Sequence, residues 1–221
     1  MSLLKLILSG LIGYLLGCIP SGLLISRYYG RMDIRKTGSG NSGTTNVLRT
    51  LGWLPSIMTL VGDCLKGVLA ALIGKWIGGQ YGMLIGGFAS VLGHDFPVFL
   101  RFKGGKGIAT SLGVTIVICP PVAPCLLAIV LVLVPLTHYM TAGTLIATLC
   151  YPVLMRLFMP DGADRTWYMI FSVALMALSF FCHRANISRI LHGKENRLDF
   201  GRIGKLSDKH FQLFKNRIKK H

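Results

Sequence analysis

Apolar runs of roughly 20 residues, repeated along one short chain and separated by basic loops, leave few folds open. Residues 3–26, 54–76, 81–100, 142–158 and 167–182 are such runs, and residues 108–136 form a longer one with Pro120-Pro121 near its middle. Inside hydrocarbon the backbone must satisfy its own hydrogen bonds, so each run has to be helical. Proline removes a donor and clashes with the preceding turn. The long run is therefore two short spans joined at the prolines. The pattern predicts an all-α, polytopic integral membrane protein of about seven transmembrane helices, some of them short or broken. Composition agrees: 52% of the 221 residues are apolar and 14% charged, with a mean hydropathy of +0.59. Soluble domains carry about 25% charged residues. The first run lacks a strongly basic leading region and has the length of a span, so it is expected to be a retained helix and not a signal peptide.

Charge sets the expected orientation. The formal net charge is +16, and 19 of the 24 Lys and Arg lie in residues 27–49, 101–106 and 184–220. With seven spans those segments, and residues 137–141, fall on one face. The positive-inside rule makes that face cytoplasmic and puts the N-terminus outside. Because the cations flank spans and do not form one folded surface, nucleic-acid binding is not expected. The six cysteines show neither CxxC pairs nor metal-ligand spacing and sit mostly in apolar segments, where cysteine acts as a small hydrophobe.

Three polar elements stand on the basic face. Gly38-Ser39-Gly40-Asn41-Ser42-Gly43-Thr44-Thr45-Asn46-Val47-Leu48-Arg49 is a glycine-rich loop leading into a helix. Free N–H groups and the positive dipole end there favour an anion. Thr45, Asn46 and Arg49 share a helix face, and arginine matches phosphate oxygens. Thr44 follows Gly43 where a Walker A loop needs lysine, so this is a different cradle. Gly104-Gly105-Lys106-Gly107, opening a helix at Ile108, repeats the same logic. In the third, His183-Arg184-Ala185-Asn186-Ile187-Ser188-Arg189, a helix continuing out of the last span puts His183 and Asn186 one turn apart. Thr141 opens the sixth span on the same face. Together the elements predict a cationic, glycine-lined pocket with room for more than one phosphate.

Other polar residues lie within spans. Asp63 and Lys66 are one turn apart, and His94-Asp95-Phe96-Pro97 ends the third run; ionisable groups at that depth face a bundle interior or cavity. They fit an internal structural role or a place at the site. Gly10, Gly13 and Gly17 share a face on which another helix can approach closely.

The motifs GSGNSGTTNVLR (38–49), GHDFPVFLRFKGGKGIAT (93–110) and HRANISRILHGKE (183–195) resemble, in order, those of the bacterial membrane glycerol-3-phosphate acyltransferase family that uses acyl phosphate as donor. The resemblance implies a multi-pass inner-membrane enzyme that forms lysophosphatidic acid in phospholipid synthesis, with its site on the cytoplasmic face. It implies catalytic roles for Lys106, Arg49 and His183. Substrate binding falls to Ser39, Gly40, Asn41, Gly43, Thr45, Asn46, Gly104, Gly105, Gly107, Thr141 and Asn186. Thr141 stands where the family usually has serine, and Ala185 where a carboxylate is often seen. The expected partners are glycerol-3-phosphate, acyl phosphate and membrane lipids, with no cofactor, metal or obligate protein partner. Residues 1–195 would be one catalytic domain and 196–221 a basic cytoplasmic tail, either on the anionic leaflet or solvated.

An acyl phosphate is a mixed anhydride whose carbonyl is already activated. Orientation and electrostatic stabilisation then suffice, and no motif pairs a nucleophile with a base for an acyl-enzyme. The His-x4-Asp design of other acyltransferases is absent, since Phe99, Gly143, Ser188, Arg197 and Lys215 occupy the fifth position after the histidines. The competing expectation is a transporter of anionic solutes, allowed by the broken spans and Asp63. Clustering of the polar elements at one face weighs against it.

Overall fold

The computed structural model describes residues 2–159, 162 and 164–218, and among these every regular element is a helix. Helices α1 (Leu3–Gly17) and α2 (Ser21–Gly30) divide the first apolar run, which the sequence alone reads as continuous. Pro20 breaks it, since proline cannot continue the hydrogen-bond ladder. Beside the break, the carbonyl of Ile19 accepts from Lys66 Nζ at 2.8 Å. A short helix α3 (Thr44–Leu51) precedes α4 (Trp53–Asp95). Helix α4 is one element by hydrogen bonding but breaks at Gly78-Gly79, where Gly79 takes φ +58°. That left-handed conformation suits glycine. Residues 53–77 and 80–95 are thus two limbs, and Gly74 and Gly82 approach so closely that a Cβ on either would meet the other's carbonyl oxygen.

Helix α1 packs along the second limb of α4. A Cβ on Gly13 would run into the Gly86 carbonyl and one on Gly17 into that of Ser90. The glycine face expected from the sequence is this contact; small residues let membrane helices come together where no aqueous hydrophobic drive exists. The limb ends at Asp95, ahead of Pro97, so His94 and Asp95 stand at its helix end. Proline disfavours helical geometry in the residue before it.

Pro120-Pro121 separates α5 (Ile108–Ile118) from α6 (Val122–Thr137), as expected. At 1.5 Å per residue each falls short of the roughly 30 Å hydrocarbon core. Helix α7 (Met140–Phe158) and helix α8 (Arg165–Leu191) complete the bundle. Pro160-Asp161-Gly162 reads from sequence as a turn between the last two spans, and its first two residues lie outside the described residues. Helix α8 carries the third motif beyond the bundle, as the sequence suggested. The segment expected as a tail contains a further helix, α9 (Phe200–Ile218), packed against α3, with Leu198 and Ile203 buried.

The apolar core lies between α4, α5, α7 and α8, around Val91, Val114, Tyr151, Met155, Phe171 and Leu175. The outside is apolar as well, with Leu131, Leu136, Val153 and Leu157 all exposed. Four stretches are long and apolar enough to cross a membrane, Leu3–Gly30, Trp53–Leu100, Met140–Phe158 and Arg165–Leu191, beside the shorter apolar helices α5 and α6.

Candidate active site

The loop before α3 is wound around one amide. Asn46 is buried; its Oδ1 accepts from Ser39 N at 2.9 Å, and its Nδ2 donates to the carbonyls of Asn41 (2.8 Å), Ile34 (3.0 Å) and Thr37 (3.0 Å). Its amide thereby shapes the loop that carries the expected phosphate-binding residues. Gly40 donates its N–H to Thr37 O, and Gly43 to Asn41 Oδ1 at 2.8 Å. Asn41 Nδ2 donates to Gly104 O at 3.2 Å and so ties the first glycine loop to the second.

The second loop is moulded on the end of α4. Gly104 N donates to Asp95 O and Gly105 N to His94 O, so neither N–H is free for a ligand. Gly40, Gly104 and Gly105 also lie off the cavity described below. In this arrangement the three glycines shape the loops. A Cβ on Gly105 would overlap the His94 ring. That ring is fixed in turn, with Nδ1 at 2.8 Å from Lys66 Nζ, which ion-pairs with Asp63 at 2.8 Å. The Asp63–Lys66–His94 cluster therefore braces the loop that carries Lys106.

Lys106 reaches across to α8, donating to Asn186 Oδ1 at 2.5 Å. Asn186 Nδ2 donates to Glu195 Oε1 at 2.7 Å and to Thr141 Oγ1 at 3.1 Å. Thr141 donates to Glu195 Oε1 at 2.9 Å, and Arg189 Nε to Glu195 Oε2 at 2.8 Å. Burial by itself would raise the Glu195 carboxyl, but the hydrogen bonds from Asn186, Arg189 and Thr141 outweigh it and hold the group below its ordinary value. Burial lowers Lys106 to about 8; Arg189 and Arg49 push the same way, and Glu195 opposes them. Glu195 and Arg189 are members of the site that the sequence quoted in its third motif without assigning a role. Asn186 and Arg189 are three residues apart on one helix face, and that spacing was the available signal.

His183 is buried, and its Nδ1 lies 2.8 Å from Ser179 O. A carbonyl only accepts, so Nδ1 carries the proton and Nε2 is the basic nitrogen of the neutral ring. Arg49 Nη2 donates to Asn196 O at 2.8 Å, while its buried Nε has no hydrogen-bond partner among the described residues.

These groups surround one cavity of about 530 Å³. Ser39, Asn41, Gly43, Thr45, Asn46, Arg49, Lys106, Gly107, Thr141, His183 and Asn186 all line it, as do Asp63 and His94. The three polar elements do meet. Away from them the wall becomes apolar, formed by Leu60, Leu112, Leu126, Leu131, Ala147 and Leu175. One end can hold anions by charge and hydrogen bonds; the other can hold a hydrocarbon chain.

Such a chamber inside a helical bundle suits a protein that handles a water-soluble anion beside a lipid chain. The comparisons give the family. The sequence model of the family described as glycerol-3-phosphate acyltransferase matches residues 7–193. The glycerol-3-phosphate acyltransferase of Thermoanaerobacter pseudethanolicus is 43% identical over 192 residues, covering 87% of this chain and 95% of that one. That of Geotalea daltonii is 45% identical over 190 residues, covering 83% and 92%. The crystal structure of PlsY, an integral membrane glycerol 3-phosphate acyltransferase, in its glycerol 3-phosphate form has a TM-score of 0.78 at 36% identity, covering 88% of this chain and 96% of that one. Its lysophosphatidic acid form gives 0.79 at 32%, covering 90% and 97%. This chain belongs to the glycerol-3-phosphate acyltransferase family. It is an acyltransferase, and the transporter expectation is set aside.

Proposed function

We propose that the enzyme transfers an acyl group from acyl phosphate to the sn-1 hydroxyl of glycerol-3-phosphate, releasing lysophosphatidic acid and inorganic phosphate. The observation that carries this reading is the single cavity with Arg49, Lys106 and His183 at one end and an aliphatic wall at the other. Related enzymes have been captured with glycerol 3-phosphate and with lysophosphatidic acid. The cationic end suits the phosphates of both substrates and the aliphatic wall suits the acyl chain.

Lys106 and Arg49 hold the phosphates and offset the charge that builds on the leaving phosphate. Held there, the glycerol hydroxyl attacks the carbonyl carbon. A carbon–oxygen bond forms to the glycerol, the bond from the carbonyl carbon to the phosphate oxygen breaks, and the hydroxyl proton passes to a substrate phosphate oxygen or to His183 Nε2. No acyl-enzyme intervenes. Thr141 and Asn186, tied to Glu195, fix the far side of the anion site.

Seven passages follow if α1 and α2 count as one, the limbs of α4 as two, and α5 to α8 as four. That parity would put residues 27–53, 101–107, 138–141 and 183–218 on one face, and their basic character supports a cytoplasmic assignment for it. The membrane is accordingly the bacterial inner membrane, with the N-terminus outside.

The test supplies labelled glycerol-3-phosphate to purified enzyme with acyl phosphate, acyl-CoA or acyl-carrier protein in turn. Lysophosphatidic acid should appear with acyl phosphate. Product with acyl-CoA alone would overturn the donor assignment.

A further inference from the structure

Helix α9 lies beyond the region matched by the family, which ends at residue 193. Its inner side touches the ends of several membrane elements on one face. Phe200 stacks on Trp53 at the start of α4 and packs against His138 between α6 and α7. Ser207 Oγ accepts from Trp53 N at 2.9 Å. Phe214 stacks on Tyr29 at the end of α2, and Arg217 donates to the carbonyls of Tyr28 and Tyr29. A helix held at span ends along its whole length, roughly 28 Å at 1.5 Å per residue, runs across the face and does not enter the bundle.

The depth of α9 is marked by its neighbours. Trp53 and Tyr28 are exposed aromatic residues at helix ends, the positions aromatic side chains take at a membrane–water boundary. Beside the docked stripe, Phe211 and Leu213 are left exposed. Arg202, Lys205, Lys209 and Lys215 occupy the outer side, and none of them is ion-paired among the described residues. Residues 196–218 hold six basic residues (Arg197, Arg202, Lys205, Lys209, Lys215, Arg217) against the two acids Asp199 and Asp208. Apolar side chains at the boundary flanked by unpaired cations complement an anionic headgroup layer.

We infer that α9 is an interfacial anchor which binds anionic lipid headgroups beside the substrate cavity. The same helix packs on α3, which carries Arg49, and the strand of chain leading to it supplies the Asn196 carbonyl to Arg49. Seating α9 on lipid thus steadies one wall of the anion site. The inference stands on geometry and charge and does not depend on the identity of the acyl donor.

The test is hydrogen exchange of the full-length enzyme in nanodiscs of phosphatidylcholine alone or mixed with phosphatidylglycerol. Exchange across Phe200–Ile218 should slow by at least about tenfold in the anionic discs, and high salt should remove the difference. A variant with Arg202, Lys205, Lys209 and Lys215 all changed to Gln should lose the lipid difference while the bundle helices exchange as in the wild type. Equal exchange of wild-type α9 in both lipids overturns the inference. So does a lipid difference that survives high salt or charge removal, since apolar docking alone would then explain it.

Discussion

Lys106 Nζ and Asn186 Oδ1 are 2.5 Å apart although the residues are separated by 80 positions in sequence. That hydrogen bond joins the glycine loop after α4 to the helix leaving the last span. Through Asn186 it continues to Thr141 and Glu195. The lysine proposed to hold substrate phosphate is thereby fixed in place, the preorganisation that electrostatic catalysis requires.

Replacing Lys106 by Ala should lower kcat/KM by about 10²–10³-fold, the range for removing one preorganised charge-stabilising donor. Purified Lys106→Ala enzyme should still show the helical circular dichroism of the wild type. Activity equal to wild type would remove Lys106 from the site.

Lys106 also sets a pH limit. Burial brings it to about 8, so the charged form is the major one below that pH and is lost above it. With glycerol-3-phosphate varied, kcat/KM should fall as pH rises through about 8. The loss should be mostly in KM, because a bound phosphate favours the charged lysine. A Lys106→Arg variant should show no such limb, since arginine stays protonated. Its persistence in that variant would assign the limb to another group.

Glu195 accepts from Thr141, Asn186 and Arg189, and its removal leaves buried donors without partners. Unpaired buried polar groups cost about 1–3 kcal/mol each. Glu195→Ala should therefore lower the thermal midpoint in detergent as well as activity. Glu195→Gln, which keeps one acceptor oxygen, should recover part of the stability. An unchanged midpoint in Glu195→Ala would show that the network does not hold the fold.

Gly105 and His94 should be energetically coupled. A methyl group at position 105 overlaps the His94 ring, and overpacking of this kind costs about 1–3 kcal/mol. Gly105→Ala should raise KM for glycerol-3-phosphate by displacing Lys106. Adding His94→Ala should restore part of that loss, making the pair non-additive. Strict additivity in kcat/KM would disconnect the Asp63–Lys66–His94 cluster from the loop.

The physical terms that were legible in the sequence are those that act locally. Apolar length marked the membrane helices, Pro120-Pro121 marked the break between α5 and α6, and runs of glycine marked the two loops that meet at the cavity. What was hidden depends on contacts distant in sequence. Pro20 breaks the first run where Lys66, 47 residues on from Ile19, donates to the Ile19 carbonyl. The amide of Asn46 bonds to Asn41, Ile34 and Thr37, contacts that its place in the motif does not announce. Gly105 resembles a flexible cradle residue, whereas its missing side chain makes room for His94. Glu195 gave no signal of its own, because its value comes from donors on α7 and α8. Helix α9 was obscured by charge: its apolar positions are interleaved with cations, and burial against α3 separates it from a solvated tail.

The central claim is that Arg49 and Lys106 serve one anion site. A double-mutant cycle on the binding of glycerol-3-phosphate, measured by calorimetry on wild type, Arg49→Ala, Lys106→Ala and the double variant, tests it directly. Groups that share a ligand charge should show a coupling of about 0.5 kcal/mol or more, so the double variant loses less affinity than the two single losses combined. Losses that add within about 0.3 kcal/mol would mean that the two cations bind separate groups, and would contradict the account.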